Sequence, residues 1–386
     1  MNTKMKKIIL IGLTALLLAE GGLLVLLRNR EDEVPGKTES AEASESQLVT
    51  VPEGTGESVG AGETNGAMDM LAVEKEEKSY ILTFVGDCTF GSISTNWNDS
   101  RHFVRTIGDN YNYPFDNVRQ YFSYDDFTIL NLEGPLTDNT FGALAKRFAF
   151  RGPTAYTKIM SDSSVEAVSL ANNHTEDYGK NGYHATKEAL NDARIAYVEK
   201  DSTTIYTTER GLIIGLYAAS FVFDTEDMKK DIAALRENGA ELVICSFHWG
   251  NEGEYRPTAE QQRTAKAAID AGADVVYGHH PHVLQNIETY KDGYIFYSLG
   301  NFSFGGAAQP QDYDTALLQL QVIRDKTGEI SLGEVGIQPC SISSVTDRNN
   351  FQPTALEREE DIQRVLSKLN GEFDGKDLNV DYSKLD

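Results

Sequence analysis

The sequence predicts an α/β fold with buried parallel strands, and three observations carry that reading. Five apolar runs each end abruptly in a polar cluster: Leu82-Thr-Phe-Val-Gly-Asp87, Ile129-Leu-Asn-Leu-Glu133, Val168-Ser-Leu-Ala-Asn-Asn-His174, Leu242-Val-Ile-Cys-Ser-Phe-His248 and Val275-Val-Tyr-Gly-His-His-Pro-His282. Largely apolar runs of this length are those of strands covered on both faces. Helical patterns at residues 182–193, 228–237 and 258–271 each lead into a strand pattern, and Gly239 and Gly272 provide left-handed caps after two of them. The chain from Ser79 onward, about 300 residues, suits a single large α/β unit.

In chain order, residues 8–27 come first, an apolar stretch interrupted by few polar residues. At about 1.5 Å per residue a helix of that length covers a bilayer core of roughly 30 Å. Lys4, Lys6 and Lys7 precede it and Arg28 and Arg30 follow, a small basic excess that favours a cytoplasmic N-terminus. The alternative is a cleaved signal peptide, against which stand the length of the run and the absence of an Ala-x-Ala pattern after it. Residues 1–30 therefore read as a cytoplasmic tip and anchor. Residues 31–78 are rich in Glu, Ser, Thr and Gly, cannot bury enough surface to fold, and read as an acidic linker.

The domain is expected over residues 79–370. After the α/β part, residues 283–288, 293–299, 317–324 and 329–337 read as antiparallel strands, with Lys291-Asp-Gly and Asp325-Lys-Thr-Gly as turns. Residues 356–369 read as a late helix, and the polar tail 371–386 as frayed. Cys88 and Cys245 fall inside strand patterns, so free buried thiols are expected rather than a disulfide framework. A net charge of -24 argues against nucleic acid as a partner and against a peripheral grip on anionic lipid.

The polar clusters carry the functional reading, because ligands bind at the carboxyl ends of strands in open α/β sheets. Singly, each has a plain structural explanation: Asp87 as a helix cap, His248 as a satisfied core histidine. Together they set Asp87, Glu133, Asn173, His174, His248, His280 and His282 at strand ends, a donor set suited to metal. In an extended segment, His280 and His282 point to one side and His279 away from it or into a supporting position. Arg151 is a candidate for holding an anion, with a solvated surface arginine as the alternative. Trp249, Tyr255 and Phe302 are candidate pocket walls, with plain packing as the alternative.

These motifs resemble the bacterial capsule synthesis proteins of the CapA type, linked to poly-γ-glutamate production. The resemblance runs from about Tyr80 to Phe304 and rests on Gly86-Asp87, Asn131-Leu-Glu133-Gly-Pro, Phe150-Arg-Gly-Pro153, Ala171-Asn-Asn-His174 with Asp177, Ser246-Phe-His-Trp-Gly250 with Glu254-Tyr255, Gly278-His-His-Pro-His-Val283 with Gln285, and Tyr297-Ser-Leu-Gly-Asn-Phe302. It implies a calcineurin-like metallophosphoesterase architecture, a four-layer α/β/β/α sandwich, in a membrane-anchored envelope protein outside the cytoplasm. It implies Asp87, Glu133, Asn173, His248, His280 and His282 as ligands, with Glu133 bridging, for one or two divalent ions; the mixed oxygen and imidazole donors suit Mn, Zn or Fe. On this reading His174, oriented by Asp177, is the proton donor, and Arg151, Trp249, Tyr255 and Asn301 face substrate. One departure is Thr89, which stands where the superfamily's Asp-x-His motif has histidine.

The implied partners are the capsule polymer or an anionic precursor, and other membrane components of the capsule synthesis complex. Two functions remain open: a metal-dependent hydrolase or transferase, and a non-catalytic accessory subunit that binds the polymer or its synthase.

Overall fold

The computed structural model describes residues 8–10 and 76–380. Two large sheets lie face to face. The first runs, in spatial order, Ile8–Leu10, Ile330–Ser341, Asp314–Arg324, Lys78–Thr89, Phe127–Leu132, Ala167–Ser169 and Ala196–Val198, with Asn301–Phe304 also paired to Lys78–Thr89 and Thr354–Ala355 to Ile330–Ser341. The second runs Ile287–Tyr290, Gly293–Phe296, Val275–His279, Leu242–His248, Ile213–Ser220 and Ser202–Thr207.

Three apolar layers account for the stacking. The layer between the sheets joins Leu82, Phe84 and Leu318 of the first to Leu216, Ile244 and Tyr277 of the second, all buried. The opposite face of the first sheet, through Val85, Leu130 and Val168, packs on helices Phe103–Ile107, Thr157–Ser161 and Gly179–Asp192. The outer face of the second, through Val243, Cys245 and Val276, packs on Thr225–Glu237 and Ala259–Asp270. Because both faces of each sheet are covered, their central strands are buried along their length and largely apolar. The expected α/β/β/α layering follows from these contacts.

The central pairings are parallel: Lys78–Thr89 with Phe127–Leu132, and Leu242–His248 with both Ile213–Ser220 and Val275–His279. Their carboxyl ends therefore open on one edge of the sandwich, where His248 lies beside His279 in register. Gly86 lets two strands meet closely there. A Cβ on it would stand 2.1 Å from the Gly300 carbonyl oxygen, which accepts a 2.8 Å hydrogen bond from the Asp87 amide.

Several expectations are corrected. Gly293–Phe296 runs parallel to the Val275–His279 strand and antiparallel only to Ile287–Tyr290. Residues 283–286 form a loop rather than a strand. Residues 371–380 are not frayed. The Leu378 amide donates to the Gly253 carbonyl at 2.9 Å, Asp377 accepts from the Tyr255 amide at 3.0 Å, and Arg256 donates to the Phe373 and Gly375 carbonyls. The polar pattern of the tail gave no sign of these partners, which are remote in sequence.

All three cysteines are free and buried. Of the apolar stretch 8–27, only Ile8–Leu10 is described, as a strand parallel to Val335, Gly336 and Ile337; the anchor expected over the remainder, and nearly all of the expected linker, lie outside the described residues. Among the described residues no helix is long and apolar enough to cross a membrane.

Candidate metal centre

At the shared edge, Glu133 sits at the middle of a ring of imidazoles. It follows the Phe127–Leu132 strand, is fully buried, and neither carboxylate oxygen has a hydrogen-bond partner. Its Oε1 lies 3.9 Å from His174 Nε2, 3.9 Å from His248 Nε2 and 3.8 Å from His282 Nε2. Those separations exceed hydrogen bonds. For His248 and His282 they match the spacing of about 3–4 Å between two donors each bound to one ion at about 2.1 Å, while His174 lies at the rim of the same carboxylate. A buried carboxylate without donors is costly unless a cation satisfies it. The donors present therefore fit a divalent metal.

Asp87 closes the inner side. Its Oδ1 accepts from Asn131 Nδ2 at 2.8 Å and lies 3.1 Å from His279 Nδ1, and its Oδ2 accepts from the His280 amide at 3.2 Å. His282 Nδ1 lies 3.2 Å from Asp87 Oδ2 and 2.9 Å from Asn301 Oδ1, which turns its Nε2 toward Glu133. Asp87, Glu133 and His282 thus offer one atom each within 4.8 Å of one another. On the other side, His248 Nε2 meets Asn173 Oδ1 at 2.8 Å, and the His248 and His280 rings stand 4.7 Å apart.

The electrostatics favour positive charge at this point. Burial opposes protonation of His282, but Glu133, Asp87 and Glu252 outweigh it and push the imidazole up to about 10. Burial, reinforced by Asp87, Glu252 and Asp177, holds the Glu133 carboxyl well above its ordinary range. Burial also raises Asp87, yet hydrogen bonds from His279 and His282 prevail and keep it well below. His248 and His280 are pushed down, chiefly by burial, His280 to about 4. Both are neutral rings at pH 7, the form that binds metal.

His174 stands at the rim. Its Nδ1 meets Asp177 Oδ2 at 2.8 Å, and the same oxygen accepts from the Phe150 amide at 2.6 Å. Lys146 pairs with Asp177 Oδ1, donates to the Asn173 carbonyl at 2.9 Å and lies 3.4 Å from His174 Nδ1. Burial lowers His174 despite Asp177, so its Nε2 carries a lone pair toward Glu133 at pH 7. Beside it opens a largely apolar pocket walled by Phe148, Phe150 and Phe304 and by Leu378 and Val380 of the tail.

Comparison with known proteins decides the family. Residues 81–306, more than half of the chain, match the family described as bacterial capsule synthesis protein PGA_cap. The chain belongs to this family. Its relatives include the capsule biosynthesis protein CapA of Bacillus anthracis, 30% identical over 71% of this chain and 72% of that one, and the PGA biosynthesis protein CapA of Bacillus subtilis, 30% identical over 63% and 70%. A probable polyglutamine synthesis accessory protein of Mycobacterium tuberculosis is 28% identical over 46% of this chain and 55% of that one. Among solved structures, the 5'-nucleotidase of Candida albicans superposes with a TM-score of 0.38 at 11% identity over 63% of this chain and 48% of that one, too low a score to carry an argument.

In this capsule synthesis family member, the structure brings together Asp87, Glu133, Asn173, His174, Asp177, His248, His280, His282 and Asn301. It does so by a different path from the extended segment expected for the histidines. His280 and His282 adopt φ of 94° and 56°, left-handed values, so a turn rather than strand alternation aims their rings. Asn301 orients His282 instead of facing substrate alone.

Three proposed substrate contacts stand elsewhere. Arg151 stacks 3.8 Å over the Trp97 ring and donates to the Thr137 carbonyl at 3.0 Å. Trp249 is buried against Phe247 and Tyr297 and donates to the Tyr297 carbonyl at 2.9 Å. Tyr255 donates to Asp312 at 2.9 Å and packs on Phe373, one layer behind the pocket. Phe302 is fully buried in the helix-facing core. Sequence reasoning missed Lys146 and Glu252, both delivered by loops; the spacing of Glu252, four residues after His248, was the available signal.

Proposed function

We propose that this protein is a membrane-anchored, extracytoplasmic, metal-dependent hydrolase of capsule biosynthesis, acting on poly-γ-glutamate or an anionic precursor, in the manner of a metallophosphoesterase. The observation that carries this reading is the buried Glu133 carboxylate, without donors and ringed by three imidazole nitrogens at 3.8–3.9 Å. Asp87, Glu133, Asn173, His248, His280 and His282 would hold one or two ions of Mn, Zn or Fe. A cation held there would supply Lewis-acid chemistry toward an anionic group.

The chain's own residues do the rest. His174 exchanges a proton at Nε2, while Asp177 fixes its ring through Nδ1. The neutral ring must first collect a proton, which an anionic substrate beside it favours. Lys146 holds Asp177 and so anchors the pair. Phe148, Phe150 and Phe304 exclude water from one flank of the pocket.

A second reading, an accessory subunit that binds the polymer or its synthase, is supported by the accessory-protein name of the mycobacterial relative and by Thr89 in place of a histidine. Polymer yield in cells producing His174→Gln at matched protein level separates the two. Hydrolysis predicts loss of function with metal content retained; normal yield favours the accessory role.

A further inference from the structure

Glu252 belongs to neither the expected ligand set nor the proton-transfer pair, yet it stands among the histidines. Glu252, His280 and His282 offer one atom each within 4.8 Å of one another. His282 is shared with the inner group of Asp87 and Glu133, so two triads overlap on one imidazole, one inside and one at the pocket mouth.

The backbone around the outer triad is built for this placement. The chain leaves the strand at His248 and turns through Gly250 and Gly253, at φ of 78° and 77°. The Gly253 amide then donates to the Pro281 carbonyl at 2.8 Å, fastening the glutamate loop to the histidine turn. Left-handed conformations at two non-glycine residues of that turn, His280 and His282, hold backbone strain that persists where surroundings impose it and clusters at ligand sites. On the far side, Thr89 is buried with its hydroxyl unpartnered among the described residues.

The geometry points to Glu252 as a metal ligand acting with His280 and His282, a carboxylate that raises the donor count of the site at its outer side. The inference rests on the metal-centre reading above. A third carboxylate alongside Asp87 and Glu133 makes the donor set harder and shifts its relative preference toward oxygen-favouring ions such as Mn²⁺.

The test is Mn²⁺ titration of the chelator-stripped full-length protein, reading free Mn²⁺ by electron paramagnetic resonance and stability by thermal melting. Wild type, Glu252→Gln, Glu252→Ala and Glu133→Gln are compared. The expected result is loss of one ion, or at least about tenfold weaker binding, in both Glu252 variants, with the metal-free melting temperature unchanged. Glu252 variants that match wild type in number and affinity of ions overturn the assignment while leaving the metal centre intact. A wild type that binds no Mn²⁺, Zn²⁺ or Fe²⁺ overturns both.

Discussion

At the scale of single residues, His174 and His282 separate proton transfer from metal holding. His174→Gln should lower activity by about 10²-fold, since a positioned proton donor contributes about that much, with metal content kept. His282→Ala should lose metal and melt earlier, because its Nε2 faces Glu133 and its Nδ1 is fixed by Asp87 and Asn301. Metal analysis and melting curves of the two purified variants check the distinction. Far from the centre, burial lifts Glu166 to about 7 and Asp125 to about 8. Their folded values exceed the unfolded carboxylate range near 4, so the native state retains protons that the unfolded chain has released. Stability is therefore expected to fall as pH rises from about 4 to about 8. Glu166→Gln should flatten that slope in melting temperatures measured across the range, and an unaltered slope would refute the assignment.

At the scale of elements, the strand ends were legible because each ligand cluster is a short motif adjoining an apolar run, and the run fixes where its polar end emerges. The three helices at 179–192, 225–237 and 259–270 were legible from their helical periodicity, and Thr258 with Gln261 opens the last with a reciprocal cap. What escaped depends on directions that spacing does not encode. The rings of His280 and His282 are aimed by left-handed backbone, the Arg151 guanidinium is taken up by Trp97, and the Trp249 indole finds the Tyr297 carbonyl across the sheet. The tail is the clearest case, since Leu378 and Asp377 gain partners only when Gly253 and Tyr255 are brought beside them. Gly253 is the test of that contact. A Cβ there would stand 2.9 Å from both the Leu378 and Val380 side chains, on a backbone at φ of 77°. Gly253→Ala should release the tail, costing about 1–3 kcal/mol, and open the chain beyond Gly371 to protease. Unchanged proteolysis would show that the tail is not held there.

At the scale of the whole molecule, two sheets meet so that the carboxyl ends of Lys78–Thr89, Phe127–Leu132, Leu242–His248 and Val275–His279 share one edge. That arrangement gathers residues nearly two hundred positions apart around Glu133. A metal bound only by this assembled edge must stabilise the fold, since binding to the native state alone shifts the unfolding equilibrium. The direct measurement is elemental analysis of the purified full-length protein joined to its melting curve with and without chelator. The account predicts about one to two divalent transition-metal ions per chain, in keeping with the donor set, and a lower melting temperature once they are stripped. No stoichiometric metal, together with a melting curve that chelator leaves unchanged, would contradict it.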